Sequence, residues 1–245
     1  MKMPHIKLDE NTGASLAILP GDPARVERIA MHMEDVVDLG MSREYRSITG
    51  IYKGKRILAM STGMGGPAAA IAVEELVKLG YRALIRIGSA GGLKDFLSVG
   101  DLVIATAAVR DDGASRSYID PQYPAVADFD LTGLIRKKAE ELDFPHALGI
   151  VRTHDAMYSD RNPMLYEKWS STPVIASDME TASILTVSSL RGIRAASILN
   201  IVAVHNSDVP HSVGRYSSGE DEAMQGEARE IILALETLSA FAETL

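Results

Sequence analysis

The sequence predicts one α/β domain in which helices cover a mostly parallel β-sheet. Three observations support this: strand and helix patterns alternate along all 245 residues, no linker or repeat interrupts them, and hydrophobic residues make up 46% of the chain. Such alternation is typical of parallel strands joined by helical crossovers. A chain of this length is long enough for one such domain with a sizeable core.

The first half of the chain contains short apolar runs, each followed by an amphipathic stretch or a turn. The predicted elements are a strand at 15–21, a helix from about Pro23, a hairpin within 51–63, a helix from Pro67 to Gly80 and a strand at 82–88. Each helix begins at a proline, which is favoured at the first helical position. A Lys-Gly pair at 53–54 provides the turn of the hairpin.

The second half continues the alternation. Its predicted elements are a strand at 101–110, a helix near 130–143, a strand at 148–153, an irregular stretch, a helix from about Glu180 to Arg191, a strand at 194–204 and a helix at about 220–243. Gly192 ends the helix before the last strand. Acidic residues at 220–222 begin the final helix, as the helix dipole favours.

Composition and motifs exclude several classes of function. The net charge of −8 argues against a nucleic-acid-binding protein. The absence of cysteine excludes disulfides, thiolate zinc sites and a cysteine nucleophile. The six histidines lack metal-ligand spacing, and no G-x-S-x-G nucleophile motif is present. No apolar stretch is long enough for a membrane helix or a signal peptide, so we expect a cytoplasmic protein without a membrane partner.

An arginine lies within an apolar run just before a glycine-rich segment. In "ALIRIGSAGG" (83–92), the strand carries Arg86 and then turns through 88–92. A guanidinium stays charged, so burying it without a partner is costly. That partner is either a protein carboxylate or a bound anion, to which the Ser89 hydroxyl and the neighbouring backbone N–H groups could also bind.

A second arginine lies near a helix N-terminus. In "LPGDPARVERIA", Gly21 precedes the predicted N-cap Asp22, and Arg25 lies one turn into the helix. This arrangement is either an anion site or an ordinary capped helix with a surface arginine. Arg43, in "SREYRS", adds a third arginine. Arginines on three segments, two of them beside glycines, favour a bound phosphate over three separate structural ion pairs.

A third glycine-rich segment matches a dinucleotide-binding pattern. In "MSTGMGGPAAA", Gly63, Gly65 and Ala68 have the G-x-G-x-x-A spacing. The pattern is consistent with a dinucleotide loop or with a tight turn between a strand and a helix. An NAD site also needs an acidic residue at the end of the next strand, where this chain carries Arg86.

Two carboxylates begin the helix near residue 180. In "SDMETAS", Asp178 and Glu180 lie on either side of Met179. They are candidates for a glycosidase acid–base pair or for groups that bind hydroxyls. The alternative is a helix-capping acid with a solvated neighbour.

Together these segments resemble the trimeric or hexameric nucleoside phosphorylases, the family of bacterial uridine and purine nucleoside phosphorylases. The matching segments, in chain order, are "LPGDPARVERIA", "SREYRS", "STGMGGPAAAIAVEEL", "IRIGSAGG", "VRDDGAS" with "YPAVADFD", and "DMETAS". "VRDDGAS" and "PAVADFD" are more similar to the uridine branch, whereas "VDLGMSREYRS" also resembles parasite-type purine phosphorylases. The resemblance implies one domain over 1–245 with three α/β/α layers and a central mixed, mostly parallel sheet.

The resemblance also implies roles for individual residues. Phosphate would be held by Gly21, Arg25, Arg86 and Ser89, together with Arg43 from a neighbouring subunit. His5 would reach across the same interface to the sugar 5′-hydroxyl, and Glu180 would bind the 2′- and 3′-hydroxyls. The other implied nucleoside-binding residues are Met64, Ala90, Gly91, Met157, Tyr158, Asp178 and Met179.

The implied reaction is phosphorolysis of an N-glycosidic bond. Inorganic phosphate is the co-substrate, and no metal or organic cofactor is needed. Arg86 and Glu180 would be catalytic, and the enzyme would be a homo-oligomer, either a hexamer built as a trimer of dimers or a dimer. Alternatives are a hydrolytic nucleosidase, a non-catalytic nucleoside-binding protein and a Rossmann dehydrogenase.

The segments that would contact the base depart from both branches. Arg161 and Pro163 stand nearest the positions where uridine phosphorylases carry a glutamine and an arginine. No aspartate of the purine type follows the strand at 194–204, and His205 stands where uridine phosphorylases have a further arginine. His205 is therefore a candidate third catalytic residue or a structural loop histidine, and a purine phosphorylase remains the alternative to the uridine type.

Overall fold

The computed structural model describes residues 2–204 and 221–244 as one mixed α/β fold. Within these ranges the strands are β1 (Leu16–Pro20), β2 (Glu34–Ser42), β3 (Tyr45–Tyr52), β4 (Lys55–Met60), β5 (Ala83–Gly92), β6 (Leu102–Asp111), β7 (Ala125–Val126), β8 (His146–His154), β9 (Val174–Asp178) and β10 (Arg194–Ala203). The α-helices are α1 (Pro23–Ala30), α2 (Gly66–Lys78), α3 (Gly113–Tyr118), α4 (Phe129–Glu141), α5 (Asn162–Ser170), α6 (Thr181–Leu190) and α7 (Asp221–Phe241).

Helices cover the sheet on two sides and create two apolar cores. One core contains the buried side chains of α2 and α6, and the other those of α1, α4 and α7. Helix starts follow the predicted capping chemistry: the Asp22 carboxylate accepts a hydrogen bond from the Ala24 N–H at 2.9 Å, with Pro23 in the first position of α1. No described helix combines the length and the apolar character needed to span a bilayer.

The sheet is mixed and part of it closes on itself. The parallel pairs are β4–β1, β1–β5, β5–β10, β6–β8 and β8–β9. Antiparallel pairing joins β10 to β6 and the end of β5 to β9, so that β5, β10, β6, β8 and β9 form a ring. Strands β1, β4, β3 and β2 extend outward from β5.

One edge of β5 changes its neighbour partway along the strand. Strand β1 pairs with β5 as far as Ile87, and β9 pairs with it only at Gly91 and Gly92. Between these points, at 88–90, no strand of the described residues lies beside that edge, whereas β10 continues along the other edge. A gap between diverging strands is where open α/β sheets bind ligands.

The prediction that the chain turns at 88–92 is wrong, because β5 continues as a strand through Gly92. The glycine at 88 has a packing role instead. Residues two apart in a strand share a face, and the Arg86 guanidinium folds over Gly88, where an added Cβ would lie 2.6 Å from Nη2. Gly88 therefore leaves room for the charged group of Arg86.

The prediction of an irregular stretch after β8 is wrong, because this part of the chain contains α5 and β9. Helix α5 begins at Asn162, with Pro163 in its first turn, and no side chain at its N-cap position accepts a hydrogen bond. Its sequence, "NPMLYEKWS", mixes polar and apolar residues around the helix, so periodicity does not indicate it. Strand β9 has five residues, all buried, and pairs with strands that are distant in the sequence.

Candidate active site

A cavity of about 1550 Å³ opens at the gap beside β5. Its wall consists of residues that end or follow β1, β4, β5, β8, β9 and β10, together with parts of α1, α5 and α7. The structure brings twelve predicted site residues into this one wall: Gly21, Arg25, Met64, Arg86, Ser89, Ala90, Gly91, Met157, Tyr158, Asp178, Met179 and Glu180.

Arg86 is paired with two protein carboxylates. Its side chain is 2% exposed; Nε donates to Asp178 Oδ2 at 2.9 Å, and Nη2 lies 2.6 Å from Glu180 Oε2. The buried arginine–carboxylate pair is therefore present in the structure. Nη1 is buried and has no hydrogen-bond acceptor among the described residues. One donor of the guanidinium thus remains for a further acceptor.

Asp178 holds the framework of the site together. Its Oδ2 accepts hydrogen bonds from Arg86 and from both the N–H and the hydroxyl of Thr181, at 2.9 and 2.6 Å. Its Oδ1 accepts from the Thr153 hydroxyl at 2.7 Å. The carboxylate therefore caps α6 and links β5, β8 and β9. Its acceptor positions are occupied, which matches the helix-capping interpretation better than an acid–base role.

Glu180 has fewer partners and a different electrostatic environment. Besides Arg86, its carboxylate accepts the Gly65 N–H at 2.5 Å, which connects it to the loop between β4 and α2. Burial raises the pKa of Glu180, with a smaller contribution from Asp178, and Arg86 opposes this change. The G-x-G-x-x-A loop thus directs an N–H group toward a protein carboxylate.

Arg25 contacts two acidic residues of α7, the last described helix. Nε donates to Glu227 at 3.0 Å, Nη1 lies 3.0 Å from Glu230, and Nη2 donates to Ser89 at 3.4 Å. Glu227 also binds Arg28 on the next turn of α1. Burial raises the pKa of Glu230 to about 8, whereas the Arg25 charge lowers it. Glu230 also accepts the Gly88 N–H at 3.1 Å.

Two loops complete this end of the cavity. The Gly63 N–H donates to the Gly21 carbonyl at 3.0 Å, and a Cβ on Gly21 would lie 3.2 Å from the Gly63 carbonyl oxygen. The loops after β1 and β4 therefore approach too closely for larger residues at these positions. Met64, next to Gly63, is 87% exposed at the rim.

The opposite end of the cavity is aromatic and more open. Met157 and Tyr158 lie on the loop before α5, and the Tyr158 side chain is 82% exposed. The loop is anchored by Asn162, whose amide donates to the carbonyls of Ala156 and Met157 at 3.1 and 2.6 Å. The buried His154 ring and the Tyr166 ring form an edge-to-face pair with centroids 6.5 Å apart.

Two predicted site residues lie elsewhere. Arg43 is exposed at the tip of the β2–β3 hairpin with a positive φ of 56°, and it does not line the cavity. The His5 Nδ1 is 2.6 Å from the buried Glu75, which also accepts the backbone N–H groups of His5 and Ile6. His5 does not line the cavity either. His205 lies outside the described residues.

Sequence reasoning missed the partners of the arginines and the histidine opposite them. Glu227 and Glu230 lie three residues apart on α7, on the side that continues into the buried Ile231 and Ala234. Carboxylates on the apolar face of a helix were the signal for these two residues, since unpaired acids are rarely buried. His154 ends a strand just before the loop containing Met157, and a buried histidine has no comparable local signature.

Comparisons with known proteins place this site in a family. The sequence profile of the Phosphorylase superfamily matches residues 15–241. The uridine phosphorylase of Treponema pallidum is 37% identical over 208 residues, covering 81% of each chain. The crystal structure of uridine phosphorylase from Vibrio fischeri superposes with a TM-score of 0.91 at 41% identity, covering 98% of this chain and 97% of the other.

A purine enzyme has the same fold. The purine nucleoside phosphorylase of Toxoplasma gondii superposes with a TM-score of 0.91 at 31% identity, covering 100% of this chain and 98% of that chain. The chain is therefore more similar in sequence to the Vibrio fischeri uridine enzyme than to this purine enzyme, although both superpose on it with the same TM-score. On this profile match, these identities and this coverage, the chain belongs to the nucleoside phosphorylase family and is uridine phosphorylase-like.

Proposed function

We propose that this protein catalyses the reversible phosphorolysis of a nucleoside, releasing a free base and a (deoxy)ribose 1-phosphate, with uridine-type nucleosides as the leading substrates. The observation that carries the proposal is the order of groups along the cavity. Arg25 follows β1, Arg86 and Ser89 lie on β5, Glu180 follows β9 and the aromatic wall follows β8, and these strands are neighbours in the order β1-β5-β9-β8. A phosphate, a sugar and a base have this order in the reacting complex.

Phosphate would bind between Arg25, Arg86, Ser89 and the loop at Gly21. The unpartnered Nη1 of Arg86 supplies a charge-assisted donor, which is among the strongest hydrogen bonds to an anion. A phosphate oxygen attacks C1′ as the bond between C1′ and the base nitrogen breaks, and the electrons of that bond leave with the base. The phosphate dianion also stabilises the positive charge that develops on the sugar.

Glu180 would orient the sugar. Its carboxylate accepts from Gly65 and Arg86, and each carboxylate oxygen can accept more than one hydrogen bond. The 2′- and 3′-hydroxyls of a ribose are suitable donors. Met179 lies beside Glu180 in the cavity wall and would pack against the sugar ring. Positioning of this kind contributes to the rate by reducing the entropy lost in the reaction step.

The uridine type is favoured by the 41% identity to the Vibrio fischeri enzyme, and the purine type is the second candidate because the Toxoplasma gondii enzyme has the same fold. His205 remains a candidate contact to the base. We include inorganic phosphate as co-substrate and no resident cofactor. We also retain the expectation of a single domain over 1–245 in a cytoplasmic protein.

An oligomer would complete the site. Arg43 and His5 lie outside the cavity of their own chain, and Arg43 is exposed at a hairpin tip. Both would therefore act in a neighbouring subunit, in a dimer or in a hexamer built as a trimer of dimers. We expect a monomer to be nearly inactive, and full activity in a monomeric species under dilution would contradict this.

Base release from uridine, thymidine, inosine and adenosine, each with and without phosphate, tests the proposal. We expect phosphate-dependent release with a preference for the pyrimidine nucleosides. Phosphate-independent release would indicate a hydrolytic nucleosidase. A lack of release from all four would favour a nucleoside-binding protein without this chemistry, and a preference for inosine would favour the purine branch.

A further inference from the structure

The aromatic end of the cavity contains a buried titratable side chain that neither phosphate nor sugar requires. His154 is the last residue of β8, lines the cavity and is 5% exposed. The neighbouring cavity-lining side chains Met157 and Tyr158 offer an apolar surface and an exposed phenol. His154 has a strong capacity for a directed hydrogen bond. The other buried polar side chain beside this loop, Asn162, donates its amide to the carbonyls of Ala156 and Met157.

The position of His154 follows from its neighbours on both sides. Thr153 binds Asp178, which binds Arg86, and Arg86 binds Glu180. On the other side, the His154 ring contacts Tyr166 of α5. His154 therefore follows directly on the residue that contacts the carboxylate framework, and its own ring contacts the helix that borders the aromatic wall.

The surroundings of His154 favour its neutral form. Burial lowers the pKa of His154 and the Arg152 charge lowers it further, whereas Asp178, Asp111 and the backbone of Ala156 act in the opposite direction. Arg152 is buried on the same strand, with Nε and Nη2 at 2.9 and 2.8 Å from Asp111 Oδ2. The ring of Tyr166 covers His154 from α5. At neutral pH the imidazole is therefore uncharged.

A neutral imidazole has one nitrogen that donates a hydrogen bond and one that accepts. The backbone of Ala156 favours the protonated ring. The Ala156 carbonyl accepts from Asn162 at 3.1 Å. A neutral His154 therefore carries one acceptor nitrogen.

We propose that His154 determines base specificity by accepting a hydrogen bond from a ring N–H of the base. This inference rests on the proposed function and identifies the substrate class more closely. Bases with a ring N–H beside a carbonyl, such as the pyrimidine-2,4-diones and the 6-oxopurines, satisfy the acceptor. Arg152 lies two residues before His154 on the same face of β8 and is a positioning residue that acts through His154.

A matched pair of nucleosides tests the hydrogen bond. We expect the wild type to prefer uridine over 3-methyluridine by about tenfold or more in kcat/KM, because a buried acceptor left unpaired is costly. His154→Leu should reduce this preference to less than about threefold. His154→Gln, which is similar in size and keeps an acceptor, should retain most of it.

The inference and the proposed function fail in different ways. If the wild type, His154→Leu and His154→Gln all cleave uridine with the same preference over 3-methyluridine, the proposed role of His154 is overturned. Phosphorolysis would still stand in that case. If the wild type cleaves no nucleoside, calorimetric titration with uracil and 3-methyluracil applies the same comparison to binding. Tighter uracil binding that His154→Leu removes and His154→Gln retains would support the inference, and equal binding of both bases by all three proteins would overturn it.

The pH profile tests the role of Arg152. Arg152→Met should move the acidic limb of kcat/KM to higher pH, since the ring would then protonate more easily, while Arg152→Lys should leave the limb near its original position. The shift should disappear when His154 is replaced by Gln. An unmoved limb in a folded Arg152→Met protein would overturn the positioning role, and if that variant does not fold, the result for His154→Gln decides.

Discussion

The two ends of the cavity differ in how their side chains are held in place. At the phosphate end, Arg25 and Arg86 are each 2% exposed and are held by carboxylates from other elements. At the base end, Tyr158 is 82% exposed on a loop that backbone carbonyls and Asn162 hold in place. Buried ion pairs thus fix the charged groups at one end, whereas the other end includes an exposed aromatic side chain.

The difference has a physical cause. A buried guanidinium requires partners whether or not phosphate is bound, because an unpaired buried charge is strongly destabilising. An aromatic wall has no such requirement, since apolar side chains at a rim cost little when exposed. We therefore expect substitutions at the phosphate end to affect both stability and rate, and substitutions at the rim of the base end to affect substrate choice.

Removing Arg86 should have the largest effect. Arg86→Ala leaves Asp178 and Glu180 buried without their cation, so we expect a loss of about 3–5 kcal/mol in unfolding free energy. The loss of a donor to the reacting anion should lower kcat/KM by about 10³-fold. Urea unfolding and initial rates at saturating phosphate measure the two effects.

Arg136→Ala is the matched control for Arg86. Arg136 forms an exposed pair with Glu140 on α4 at 2.8 Å, a type of pair worth little. Its variant should keep wild-type activity and nearly all of its stability. An Arg86→Ala protein that is folded and has the wild-type kcat/KM would contradict the assignment of the phosphate end.

Gly88→Ala should weaken the same end without removing a charge. The added Cβ would lie 2.6 Å from Nη2 and 2.8 Å from Cζ of Arg86, so the guanidinium must move. We expect the KM for phosphate to rise about tenfold, with a stability loss of about 1–3 kcal/mol. Gly133→Ala in α4 is the control, because its Cβ would meet no atom within 4 Å and alanine favours a helix.

Glu230→Gln should make stability depend less on pH. Because the pKa of Glu230 is raised from 4.5 to about 8, the folded state binds a proton more tightly than the unfolded state. Stability from this group is therefore fully present below about pH 4.5 and is lost as the pH rises through about 8. Urea unfolding at pH 5.5 and 8.5 should show that wild type loses stability relative to Glu230→Gln, on the order of a few kcal/mol.

The control for Glu230 is Glu140→Gln on the surface of α4. Its stability difference from wild type should be the same at both pH values. A difference between Glu230→Gln and wild type that does not change with pH would contradict a protonated, buried Glu230.

The smallest effect should come from Tyr158→Ala. An exposed side chain contributes little to stability, so we expect unchanged unfolding and a change of at most about threefold in the KM for the nucleoside. A loss of activity comparable to that of Arg86→Ala would contradict the contrast between the two ends.

Local signals in the sequence were sufficient to predict several features of the fold and of the candidate site. The Asp-Pro cap of α1, the hairpin turn at 53–54 and the positions of Arg25 and Arg86 each depend on a few neighbouring residues. Helix capping was one of the alternatives for the Asp178 and Glu180 pair, and the contact of Asp178 with Thr181 is local. These features could be predicted because short-range geometry determines them.

The remaining features depend on contacts between distant parts of the chain. Arg25 and Glu227 are 202 residues apart, and Arg86 and Asp178 are 92 apart. The closed ring requires β9, whose five buried residues carry no alternating pattern. No single stretch of sequence shows that these groups meet, so the carboxylate partners and the ring could not be predicted from periodicity or capping.

The gap beside β5 also bears on aggregation. An exposed strand edge presents unpaired N–H and C=O groups that can pair with another chain. At 88–90, β5 has such an edge, but it is only three residues long and is bounded by β1 at one side and β9 at the other. The Gly88 N–H is already donated to Glu230. So short an edge, with one of its donors already paired, offers little to another strand.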